Sequence, residues 1–175
     1  MRILLLFLLL PFTINAQELT QISESLDQPI EINSDLSNGV QIDDLSWAWS
    51  SSNACFVSFQ QHKFNGSHVF FEGVIPVRTE IKATVIPDNP EDNFSIYAFE
   101  TPVASESLPP NLASCIRCEA DYKWDRKWVG KTQDHTRTVK DLLAINRPYR
   151  VVIAVVGAEG LTEGGFTLKI EPVSR

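Results

Sequence analysis

The sequence predicts an all-β domain, an antiparallel β-sandwich or jelly roll with one long loop insertion. Three observations predict it. Short apolar segments alternate with polar residues at period two, as strands with one wet face require. Clusters of Asn, Asp, Gly and Pro separate these segments at short intervals. After the N-terminal leader no stretch sustains a helical period, and without crossover helices a parallel sheet is disfavoured.

The N-terminus comes first. Met1-Arg2 precedes the apolar run Ile3 to Phe12, then Thr13-Ile14-Asn15-Ala16 and Gln17. One positive charge, an apolar stretch of about ten residues and a small residue before a polar start describe a secretory signal peptide, residues 1–16. The run is shorter than the roughly 20 residues of a membrane-spanning helix, so no transmembrane segment is expected. Sixteen residues removed from 175 leave 159, which suits one domain with its own core. The expected location is secreted or periplasmic.

The full chain carries net charge −7, and loss of Arg2 with the leader makes the mature chain −8. An acidic surface disfavours nucleic acid, whose phosphate backbone selects basic patches. It admits cations.

Residues 17–28 are polar and read as a flexible lead-in to a single domain spanning 29–175. Ile30 and Ile32 alternate with polar neighbours as a first short strand. Ser34 to Gly39 is a turn cluster ending in Asn-Gly. Val40 and Ile42 alternate again. Trp47-Ala48-Trp49 follows, then a Ser-rich break, then a strand from Ala54 to Phe59. Val69-Phe70-Phe71 forms another strand core. Glu80 to Ile86 places Ile81, Ala83 and Val85 on one face. Phe94, Ile96 and Ala98 oppose Ser95, Tyr97 and Phe99. Residues 101–135, with three prolines and a charged Trp-bearing segment, interrupt the strand pattern. Long insertions of this kind in a compact domain are often functional. Val139 to Ile145 reads as a short strand or a helical turn. Tyr149 to Val156 is the longest β-branched run and suits a central strand buried on both faces. Gly165 to Ile170 alternates cleanly. These last two strands, joined by a Gly-rich link, read as an antiparallel hairpin.

Four stretches together resemble a known family. They are Glu80 to Ile86, Asn93-Phe94-Ser95-Ile96-Tyr97, Arg147-Pro148-Tyr149-Arg150-Val151-Val152-Ile153, and Gly164-Gly165-Phe166-Thr167-Leu168-Lys169-Ile170. Their order is similar to that of the bacterial pre-peptidase C-terminal domain, a secreted jelly-roll β-sandwich. Phe166 stands where that family commonly has Tyr, and Arg147-Pro148 replaces a usual Gly. The resemblance covers about residues 80–100 and 147–171, and residues 101–135 form an insertion relative to it. It implies a non-catalytic module, often appended to secreted hydrolases and sometimes binding cations or polysaccharide.

The candidate sites follow from residue chemistry. Tyr122, Trp124, Arg126 and Trp128 bring large aromatics and cations together in the insertion, and Trp124 and Trp128 share a face if that segment is helical. They read as a ligand surface, or as a loop tucking its own tryptophans inward. Trp47 and Trp49 share a face on a strand, as core or as a stacking platform. Asp88, Glu91 and Asp92 place carboxylates within one turn, which suits calcium or a solvated Asx turn. Calcium is the one cofactor the sequence raises.

Cys55, Cys115 and Cys118 allow one intramolecular disulfide. The pairing taken here is Cys115–Cys118, with Cys55 to either as alternatives. His62, His68 and His135 are scattered, and Asp134-His135 are merely adjacent. No nucleophile elbow, zinc-protease motif or phosphate loop appears. The expected function is a secreted, non-catalytic binding module for polysaccharide or a secreted protein. Alternatives are an accessory partner of a separately encoded secreted hydrolase, a calcium-stabilised surface module, or an unrecognised hydrolase.

Overall fold

Tyr149–Gly157 carries apolar side chains on both of its faces, so both must be covered. The fold is arranged around that need. The computed structural model describes residues 19–49, 55, 58–111, 117–121 and 134–173. Among them the strands are β1 (Leu19–Ser23), β2 (Ile30–Asp35), β3 (Val40–Gln41), β4 (Ser67–Ile75), β5 (Thr79–Pro87), β6 (Phe94–Pro102), β7 (Arg117–Glu119), β8 (Arg137–Ala144), β9 (Tyr149–Gly157) and β10 (Gly165–Pro172). One sheet runs β1-β4-β9-β6-β7, with β3 also on β4; the other runs β2-β10-β5-β8. The chain is thus an all-β sandwich of two sheets, antiparallel except that β1 pairs parallel with β4.

The inner faces meet in the main core. Val69 and Phe71, Ile96 and Ala98, and Val151, Ile153 and Val155 face Ile81, Ala83, Val85, Phe166, Leu168 and Ile170. Phe166 packs edge-on against Phe71 and Phe94, with ring centroids 6.1 and 5.5 Å apart. The outer face of the β2-β10-β5-β8 sheet is wet, and its polar side chains pair across strands. Lys169 donates to Glu31 at 2.7 Å, Lys82 meets Glu171 at 3.1 Å, and Thr84 and Thr138 share a 2.9 Å hydrogen bond.

The sandwich is tied along one side. Edge strand β8 presents the Leu143 amide, which donates to Glu100 Oε1 on β6 at 2.6 Å. A bulge at Lys140-Asp141 opposes Lys82. Its Asp141, at φ 58°, reaches Arg117 on β7.

Several sequence expectations change. β9 and β10 are not a hairpin. β9 pairs with β4 and β6, whereas β10 pairs with β2 and β5, so residues 158–164 arch between the sheets. Their different patterns, apolar on both faces against strict alternation, reflect membership of different sheets. The lead-in is also structured. Leu19–Ser23 is a strand, and fully buried Leu26 fills the space beside Gly73, where an added Cβ would lie 2.9 Å from Leu26. Within the expected strand 54–59, Ser58 and Phe59 instead begin a 3-10 helix, Ser58–Phe64. The insertion contributes β7, which the sequence reading missed. Residues 137–144 form a strand and not a helical turn.

Candidate functional site

The outer face of the β1-β4-β9-β6-β7 sheet holds a second apolar layer. Phe70, Tyr97, Phe99, Val152, Ala154 and Val156 project from three adjacent strands. Burying side chains of this size is worth about 1.5–3 kcal/mol each, so the face requires a cover. Two connections supply it. One brings Leu45, Ala48, Trp47 and Phe64; the other brings Leu108, Cys118 and Ala120.

Polar anchors fix the cover to the sheet. Buried His68 on β4 stacks on Phe70, meets Tyr97 edge-on, and bonds the Phe64 carbonyl at 3.0 Å. Burial pushes its pKa down to about 4. Glu159 N donates to the His62 carbonyl at 2.7 Å, and Lys63 Nζ donates to the Asp121 carbonyl. A disulfide joins Cys55 to Cys118, with Cα atoms 5.5 Å apart. Cys118 lies opposite Tyr97 in the sheet register, so the bond clips both covering connections beside that ring. This corrects the expected Cys115–Cys118 pairing. Fold proximity chooses the partner, and residue 115 lies outside the described residues.

Trp47 and Trp49 do not share a strand face. Ser46–Ala48 is a 3-10 turn, so the two rings diverge. Trp47 lies half-buried with its ring 6.0 Å from Tyr97, whereas Trp49 is 39% exposed. Phe59, on the helix that Phe64 anchors, is 75% exposed. The cover therefore presents two large aromatics to solvent on a clipped scaffold. Tyr122, Trp124, Arg126 and Trp128 lie outside the described residues.

Asp88, Glu91 and Asp92 are not assembled into a cage. Asn89 Nδ2 donates to Asp92 Oδ1 at 2.9 Å, and Glu91 N donates to Asn89 Oδ1 at 3.2 Å, an Asx turn. The Asp88 carboxylate lies against Gly165, where a Cβ would come within 2.3 Å of Oδ2. Among the described residues, no three His, Cys, Asp or Glu side chains converge to hold a metal. Asp134 turns to the Thr136 amide at 3.1 Å and not to His135, whose Nδ1 meets Arg137 Nη2 at 3.2 Å. Burial, then Arg137, lowers the His135 pKa.

Residues that the sequence reading passed over also matter. Arg150 on β9 is 7% exposed and donates from Nε to Glu72 Oε2 at 2.5 Å and from Nη1 to the Ser107 carbonyl at 3.0 Å. Its signal was an arginine set inside an apolar run.

Fold and site together define a two-sheet β-sandwich module with a disulfide-clipped cover on one face. No family model and no curated protein sequence matches the chain. Among solved structures it is similar to the pre-peptidase C-terminal domain of collagenase from Bacillus anthracis. The identity is 9% over 91% of this chain and 100% of that one, with TM-score 0.45. It is similar to a periplasmic inhibitor of g-type lysozyme from Aeromonas hydrophila at 11% identity, covering 90% and 100%, with TM-score 0.41. It is also similar to the K1 cleaved adhesin domain of Lys-gingipain from Porphyromonas gingivalis W83 at 8% identity, covering 83% and 99%, with TM-score 0.40. Likeness at this level assigns no ligand. No helix among the described residues is long and apolar enough to cross a membrane.

Proposed function

We propose that the chain is a secreted or periplasmic, non-catalytic binding module that engages a partner through the clipped cover. The observation that carries this reading is the exposure of Trp49 and Phe59 on segments fixed to the sheet by His68 and the Cys55–Cys118 bond. Rigid aromatic side chains give large contact area at low entropic cost, and pre-ordering the loops removes part of the cost of binding. Tyr122, Trp124, Arg126 and Trp128 follow Asp121, whose carbonyl accepts from Lys63, and are proposed to extend this surface. The ligand class is a glycan or a secreted protein. The signal peptide and the disulfide support export.

The test is capture on a glycan array and on an array of secreted proteins, using wild type, Trp49→Ala/Phe59→Ala and Trp124→Ala/Trp128→Ala. Binding by wild type that both double variants lose supports the reading. Binding retained in both variants, or no capture on either array, sinks it.

A further inference from the structure

We propose that a groove across β1, β4 and β9 binds an extended peptide segment of a partner protein, an aliphatic side chain flanked by a basic residue. The groove has a volume of about 410 Å³. Leu19 and Gln21 from β1, Glu72 and Val74 from β4, and Arg150 from β9 line it, together with Val103, Ser105 and Glu106 from the segment after β6. It lies on the same sheet face as the cover but at the other end of the strands. The Val74–Arg150 pair is six residues along β4 from the His68–Val156 pair, about 20 Å at strand rise. The groove stands independently of the Trp49 and Phe59 surface.

Arg150 sets the ligand chemistry. Its Nε and Nη1 are bonded to Glu72 and the Ser107 carbonyl, while Nη2 makes no hydrogen bond among the described residues. That N–H is a donor available to a ligand acceptor in the groove. A ligand carboxylate is disfavoured there, because Glu72 already neutralises Arg150 and Glu106 adds a further negative charge at the rim. A neutral backbone carbonyl fits. Leu19, Val74 and Val103 offer an aliphatic slot, and Glu106 attracts a flanking Lys or Arg. Among the described residues that line it there is no aromatic ring to serve as a stacking platform for a sugar. Among the described residues β1 is the edge strand of this sheet.

The experiment is a ¹⁵N NMR titration of the disulfide-bonded protein with acetyl-Gly-Lys-Leu-Gly-amide, with its Lys→Glu counterpart, and with chitobiose. The expected result is saturable shifts at Gly73, Val74 and Arg150 Nε–H with the Lys peptide, and affinity about tenfold weaker for the Glu peptide. Val103→Trp closes the groove from an exposed rim position and abolishes the shifts; Glu106→Lys reverses the charge preference. Ser105→Tyr, entering from the other rim position, replaces Val103→Trp if the latter lowers the unfolding midpoint. The proposal is overturned by an absence of saturable shifts with the Lys peptide, by shifts that persist in the closed variant, or by saturation with chitobiose alone.

Discussion

The Tyr97 hydroxyl and His68 Nδ1 lie 3.1 Å apart inside the outer apolar layer, and a third group decides which of them donates. The Phe64 carbonyl can only accept, so His68 Nε2 carries the ring proton and Nδ1 accepts from Tyr97. With a neutral imidazole the pair needs no buried charge. Protonating Nδ1 would reverse the bond, the Tyr97 hydroxyl then accepting, and would place a charge inside the apolar layer that holds the cover down, which burial opposes.

Stability should therefore fall with acid over a defined window. The folded pKa of His68 is about 4, below the ordinary 6.5. Between these values the unfolded chain binds the extra proton, so the contribution is fully present above pH 6.5 and is lost as pH drops toward 4. The shift corresponds to about 3 kcal/mol. Urea unfolding of wild type and His68→Gln at pH 7, 5.5 and 4.5 checks this. The wild-type slope over the window should be clearly steeper; equal slopes would contradict the assignment.

The Cys55–Cys118 bond spans 63 residues, for which the loop-entropy account gives about 4 kcal/mol, with measured values commonly 2–4. Cys55→Ser should lower stability by about that range. It should also raise amide exchange in Ser58–Phe64 and β7 well before β5 and β10. One bond among three cysteines leaves one thiol, so alkylation under denaturing, non-reducing conditions should label residue 115 alone.

Gly66 and Gly157 mark a close crossing of backbones. A Cβ at Gly66 would lie 2.1 Å from the Leu161 carbonyl oxygen, and one at Gly157 would lie 2.0 Å from the same atom. Backbone cannot move aside as a side chain can, so either Ala variant should cost about 3 kcal/mol or more. Gly160, at φ 81° with nothing within 4 Å of its Cβ position, should cost only about 1 kcal/mol as Ala. Thermal unfolding of the three variants gives the ranking.

Glu100→Ala should orphan the Leu143 amide on an edge strand. A loss of about 1–3 kcal/mol is expected, together with faster exchange at Leu143. Glu100→Gln, whose side-chain oxygen still accepts, should recover most of it. No recovery would mean that the carboxylate charge, near Arg117, matters more than the hydrogen bond.

Much of the fold was legible. Ile81, Ala83 and Val85 on one face of β5, and Phe94, Ile96 and Ala98 on one face of β6, are period-two statements that burial then respects. The candidate site was far less so. Asp88, Glu91 and Asp92 are close in sequence, but in the turn Asp92 Oδ1 accepts from Asn89 and, among the described residues, no three such side chains converge on one point. Trp47 and Trp49 part because a 3-10 turn rotates them by about a third of a turn per residue, where a strand would have aligned them. Arg150 and Glu72 are 78 residues apart, and no local pattern links them.

The all-β class, the central two-faced strand Tyr149–Gly157 and the one-faced strands around it follow from the residue pattern alone, because side-chain period is a local property of the backbone. The pairing of distant segments placed β9 and β10 in different sheets, brought Cys55 and not Cys115 to Cys118, and set Arg150 against Glu72 in the lining of a groove. Those are matters of which distant segments must bury one another's exposed faces. That choice is made by the whole chain at once, since covering the outer face of one sheet draws two connections together from opposite sides of it.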